Sequence, residues 1–175
     1  MPILSAIVLA ALSSTPSLPP PSAQAVRITG FRQGLMQPDK DGVWGVYEAG
    51  NAFVYAVNGS CVALQQKEQC MWHGFEFNYE ASAALTILNC VTRNDPPLTI
   101  VNPTTKFGEA ISVFNWTIEL REGKGTFVNP QYDVIDETES QTRTASTECS
   151  YADQVVLKFK FTVTPPPKNV KQRAT

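Results

Sequence analysis

The sequence predicts an all-β protein: an antiparallel β-sandwich of about eight strands with an immunoglobulin-like architecture, and a small β-barrel as the alternative. Three observations lead there. Almost every patterned segment alternates apolar and polar residues with period two, the signature of a strand with one buried face. Turn signals recur every 8–12 residues, the spacing of sandwiches and small barrels. Four cysteines lie in a chain that opens with an export-type leader, and an even count in an oxidising compartment reads as two disulfides.

The leader comes first in the chain. Residues 3–12 (ILSAIVLAAL) are apolar except for Ser5, and a Ser/Pro-rich stretch follows, ending in Ala23-Gln24-Ala25. Ten residues are too few to cross a bilayer, which takes about 20. Small residues at Ala23 and Ala25 fit cleavage after Ala25, although Met1-Pro2 lacks the usual basic residue. Residues 1–25 are therefore expected to be a secretory signal peptide, making the protein secreted or periplasmic. Removing 25 of 175 residues leaves 150, with no further apolar run of membrane-spanning length.

Each strand then follows from its pattern. Residues 26–32 form a first strand. Residues 43–47 and 52–57 read as a hairpin joined through Glu48-Ala49-Gly50-Asn51. In 74–80, Phe75, Phe77 and Tyr79 share one side and Glu76, Asn78 and Glu80 the other. Residues 84–91 are apolar on both faces, as in a central strand covered on each side. In 112–121, Phe114, Trp116, Ile118 and Leu120 point inward; Gly123-Lys124-Gly125 then turns the chain into a strand at 126–128. Tyr151-Ala152-Asp153-Gln154 turns it into the last strand, whose inward row is Val155, Leu157, Phe159, Phe161 and Val163. No twelve-residue segment carries a helical stripe. One domain over 26–164 is expected, followed by a Pro-rich and then basic tail over 165–175.

For the cysteines the favoured pairing is Cys61–Cys70 and Cys90–Cys149. The first closes a short excursion, 62–69, read as a helical turn or compact loop. The second ties a mid-chain strand to the penultimate one, as an inter-sheet bridge with Trp116 packed near it.

Composition excludes some functions. The chain has 14 Lys+Arg against 16 Asp+Glu, a net charge of -2, and 43% hydrophobic and 17% charged residues. That suits one packed core, and it lacks the basic face that nucleic-acid binding requires. No cofactor fingerprint or metal-ligand spacing is present, and no cofactor is expected. The nucleophilic-serine signature fails too, since Gly59-Ser60 lacks its closing glycine.

The remaining candidates are few. His73 is the only histidine and sits beside Trp72, a candidate exposed aromatic; with Glu76 these form the candidate ligand-binding group. Trp44, Tyr47 and Tyr55 are further surface-aromatic candidates, with Trp44 assigned to core packing. Glu76 and Glu80, on one strand face, are the carboxylate pair a glycosidase would use, and a solvated face is the plainer reading. Asp133, Asp136 and Glu137, with Glu139, form the densest acidic cluster and are calcium candidates without the EF-hand spacing. Asn58-Gly59-Ser60 and Asn115-Trp116-Thr117 match the N-glycosylation sequon. No residue is assigned as catalytic.

The expectation is an exported, non-enzymatic binding module that recognises a protein, peptide or glycan through a sheet surface or strand edge. The alternatives are a small carboxylate-dependent hydrolase and a self-associating structural component of the envelope. An enzyme should bring two carboxylates, or His73 and a carboxylate, together in a concave pocket.

Overall fold

The computed structural model describes residues 25–101, 108–135 and 140–166, with the backbone alone at 100 and 101. The expected signal peptide, apart from Ala25, and residues 167–175 of the expected tail lie outside these residues. The described chain is all-β. Its strands are β1 (Val26–Pro38), β2 (Trp44–Ala49), β3 (Ala52–Val54), β4 (Gly59–Ala63), β5 (Gln66–Val101), β6 (Gly108–Val134), β7 (Arg143–Tyr151) and β8 (Gln154–Thr164).

All eight hydrogen-bond into one sheet in the order β2-β1-β5-β7-β8-β3, with β4 and β6 also pairing β5. The expected two separate sheets are thus replaced by a single sheet curled into an open half-barrel, which fits the barrel alternative in part. The curl is visible where β1 meets β8 without pairing to it. Gln33 Nε2 donates to the Lys160 carbonyl at 2.7 Å, and the Phe31 and Phe159 rings lie 5.3 Å apart.

The backbone of the fold is the β5–β6 ribbon, longer than the turn spacing predicts. Residues 123–125 make no turn; β6 runs through them while Ala81 pairs Gly123 and Tyr79 pairs Gly125. The ribbon bends instead, at a register irregularity between Ala81 and Leu85. An extra unpaired stretch in one strand bends it and increases its twist. The first limb of β5 pairs β1 from His73 to Ala81, and the second pairs β7 from Asn89 to Asp95.

The core fills the angle between the limbs. Phe75, Phe77 and Ala81 from the first pack with Leu88, Cys90, Ile118 and Leu120 from the second, and with Val26, Cys149 and Leu157. The inward rows at Phe75/Phe77, Ile118/Leu120 and Leu157/Phe161 are as the alternation predicts. The 84–91 segment differs: Thr86, Leu88 and Cys90 are buried, while Leu85 and Ile87 are exposed. Among the described residues no element covers their side of the sheet, so apolar residues on both faces did not mean cover on both faces. A smaller cluster joins Tyr55, Met71, Phe161 and Val163, which makes Tyr55 a buried residue and not a surface aromatic.

Two further expectations change. Residues 43–57 form no hairpin: β2 pairs β1, and β3 crosses to pair β8 in parallel. The 62–69 excursion is no helical turn or loop but the tip of the β4–β5 hairpin, with Leu64 and Gln65 both at positive φ, as a two-residue hairpin turn of type I′ requires.

Both disulfides pair as the sequence predicts, Cys61–Cys70 and Cys90–Cys149. Cys90 and Cys149 are directly opposed on neighbouring strands, so this bridge lies within the sheet and not between sheets. Trp116 is the partner of Cys90 on the other side, close to the bridge as expected. Two disulfides are the mark of an oxidising, extracytoplasmic setting.

Close approach of four strands depends on one glycine pair. Gly34 and Gly74 face each other across β1 and β5, at φ +154° and +152°. A Cβ on Gly74 would stand 2.1 Å from the Asn129 carbonyl oxygen of β6, and one on Gly34 would stand 2.0 Å from the Glu48 carbonyl oxygen of β2.

Candidate functional site

Beyond the packed angle the limbs of the ribbon separate, and the concave face between them is a cleft of about 400 Å³. Small-molecule sites fall at about 300–1,000 Å³. Its apolar surface comes from Phe75, Leu98, Phe114, Trp116, Phe159 and Phe161. Phe75 and Phe159 have ring centroids 4.7 Å apart, and Phe75 and Trp116 6.1 Å. These positions follow from period two. Phe75 is on the inward row of β5, Phe114 and Trp116 on that of β6, and Phe159 and Phe161 on that of β8.

The polar groups are arranged differently on the two limbs. In the second limb they are occupied with each other. The Trp116 indole N–H donates to Thr92 Oγ1 at 3.0 Å, Thr92 and Thr147 hydroxyls are 2.9 Å apart, and Asn94 Nδ2 donates to the Ile111 carbonyl. In the first limb, Asn129 and Gln131 line the cleft, and neither carboxamide has a partner among the described residues. Gln33, at the base, donates through Nε2, while its Oε1 is buried without a partner.

An ionic cluster closes one end. Arg143 Nη2 donates to Asp133 Oδ2 at 2.8 Å, and His73 Nε2 lies 3.4 Å from the same oxygen. The His73 ring stacks on Phe161 at 4.5 Å, and the Arg143 guanidinium lies over the Tyr55 ring. Burial alone raises the Asp133 pKa, but the hydrogen bond and charge of His73, together with those of Arg143, outweigh it. Asp133 is held below the ordinary aspartate value. A carboxylate so stabilised is a weak base and a good fixed anion.

The sequence candidates are thereby divided. His73 is in the cleft. Trp72 and Glu76, one and three residues away, project from the opposite face, as alternation along a strand demands. Glu76 accepts from Arg32 Nη1 at 2.8 Å and from the Val46 N–H, so it serves the β1–β2–β5 junction. Glu80 is on the same outer face, beside Lys124 at 3.7 Å. Trp72 lies between Trp44 and Tyr132, with centroids 4.4 and 4.9 Å apart. Trp44 is half-buried there, in no core cluster. The Asn58 carboxamide fixes this row, accepting from the Trp72 N–H at 2.6 Å and donating to its carbonyl at 2.9 Å. The first sequon asparagine is thus engaged in the fold, whereas Asn115 is exposed.

Of the calcium candidates, Asp133 belongs to the ionic cluster, and Asp136 and Glu137 lie outside the described residues. Among the described residues no three His, Cys, Asp or Glu side chains come together as a metal site. Sequence reasoning missed Arg143, Asn129 and Gln131 as site residues. Asn129 and Gln131 flank Pro130 on an inward row whose register was not legible, because the sequence reads as two strands, 112–121 and 126–128, the second ending before Asn129.

No protein-family model matches the chain, and no curated protein is similar to it in sequence. What fold and site together define is an open, disulfide-pinned β half-barrel with an aromatic cleft.

Proposed function

We propose that the protein is an exported, non-enzymatic binding module for a protein, peptide or glycan, and that its ligand occupies the cleft between the limbs of the β5–β6 ribbon. The finer sandwich and immunoglobulin-like likeness plays no part in this reading. The observation that carries it is the chemistry of the lining: aromatic rings, two unpartnered carboxamides, and a single carboxylate already held by His73 and Arg143. Such a surface offers apolar area and hydrogen bonds that orient a ligand. The hydroxyls of Thr92 and Thr147 bond to one another and not to a general base, which either would need in order to act as a nucleophile.

One observation favours the hydrolytic alternative: His73 and Asp133 do converge in the cleft. A carboxylate mechanism needs a second acid in reach, and among the described residues lining the cleft Asp133 is the only Asp or Glu. Glu76 and Glu80 are on the other face.

The test is an NMR titration of isotopically labelled mature protein with soluble peptides and glycans. Resonances of Phe75, Trp116 and Gln131 are expected to shift, with the added compound recovered intact. Recovery of cleaved compound, with cleavage abolished in His73→Gln, transfers the assignment to the enzyme.

A further inference from the structure

Resting on the reading of the cleft as a ligand site, we infer that its ligand is an extended, uncharged peptide segment with large apolar side chains at alternate positions. The argument is one of period. Asn129 and Gln131 are two apart on β6 and share its inward face, so their carboxamides repeat about every 6.6–6.8 Å. An extended peptide lying along β6 presents its own peptide groups at that same two-residue period. A side-chain carboxamide has both a donor and an acceptor, and it can satisfy a peptide N–H and C=O together. Asn58 already does this in the same molecule, bonding both backbone groups of Trp72.

The other wall sets the side chains. Every second residue of such a peptide would face Phe114, Trp116 and Phe159, which offer aromatic surface and no charge. At the cleft end the Asp133 carboxylate is already engaged by Arg143 and His73, and it is the one carboxylate among the described lining residues, so the cleft offers no open anion to a cationic segment. A glycan would also use carboxamides and rings, but the two-residue strand period has no counterpart in it that the cleft reads.

The experiment uses the mature chain with Trp44→Phe and Trp72→Phe, so that Trp116 is the only tryptophan and can be excited selectively at the red edge of the absorption band. The probe is a library of acetylated, amidated hexapeptides with Leu or Phe at alternate positions and Ser between; cellohexaose is the second arm. Saturable change in Trp116 emission with peptides is expected. Phe114→Ala, at a residue 46% exposed and outside the packed core, should weaken it. Asn129→Ala and Gln131→Ala should each weaken it roughly three- to tenfold, the worth of a hydrogen bond. Ile87→Ser, on the outer face, should not. Binding of cellohexaose without peptide binding overturns the peptide assignment and leaves the binding module standing. Peptide binding unaffected by Phe114→Ala, Asn129→Ala and Gln131→Ala overturns the cleft geometry proposed. No response to either arm from folded protein overturns the peptide assignment, and the wider titration above then decides the module reading.

Discussion

Asp133 and Arg143 meet at 2.8 Å although, among the described residues, their strands share no hydrogen-bonded edge: β6 pairs β5 there, and β7 pairs β5 and β8. The contact is a side-chain strut between the limbs where the cleft begins. Both side chains are more than four-fifths shielded from solvent, so screening weakens the pair less than at an open surface. Arg143→Ala is expected to lower the unfolding free energy by about 1–3 kcal/mol, because it leaves a shielded carboxylate short of a donor. Urea denaturation of Arg143→Ala, Asp133→Asn and the double variant measures this. The coupling should be lost once both residues are gone.

Acid should act through the same group. The Asp133 pKa is lower in the folded protein than its ordinary value, so the folded form binds fewer protons. The stabilisation is complete above the unfolded pKa of about 3.9 and is lost as pH falls through the folded value. Unfolding free energy measured from neutral pH downward should therefore fall more steeply in the wild type than in Asp133→Asn. Equal slopes would mean that Asp133 is not a linked group.

Gly74→Ala is expected to be among the most damaging single substitutions in the protein. The added Cβ meets a backbone oxygen at 2.1 Å, and φ is +152°, so neither a rotamer change nor a small shift relieves it. Loss of cooperative thermal unfolding is the expected result. Gly42→Ala is the comparison: its φ is +81°, but nothing lies within 4 Å of its Cβ, leaving backbone strain alone. It should cost about 1 kcal/mol.

The disulfides should differ in weight. Cys90–Cys149 spans 59 residues and Cys61–Cys70 spans 9. Loop-closure entropy gives about 4 kcal/mol for the first and about 3 kcal/mol for the second. Paired Cys→Ala variants, compared by chemical denaturation, should rank in that order.

Phe75, Trp116 and Phe159 were legible because period two makes burial a local property of the sequence. So was the cysteine pairing, since Cys61 and Cys70 are close in sequence and Cys90 and Cys149 sit on strongly patterned strands. The single sheet was not legible. Whether two strands belong to one sheet depends on long-range edges, and Gly123-Lys124-Gly125 gives the same local signal whether the chain turns or continues. For the site, His73 was singled out, but Trp72 and Glu76 were grouped with it by sequence proximity. On a strand, neighbours face opposite ways, so proximity separated what it was expected to join. Arg143 was unreadable, because its meeting with Asp133 spans two strands that never pair.

Residues Ala52, Phe53 and Val54 find their strand partners in Thr162, Val163 and Thr164, more than a hundred positions later. A segment made in the first third of synthesis therefore waits for nearly the last residues of the half-barrel before its strand is paired. Non-local closure of this kind makes for slow maturation. Truncation just before Thr162 should leave the early segment without a strand partner.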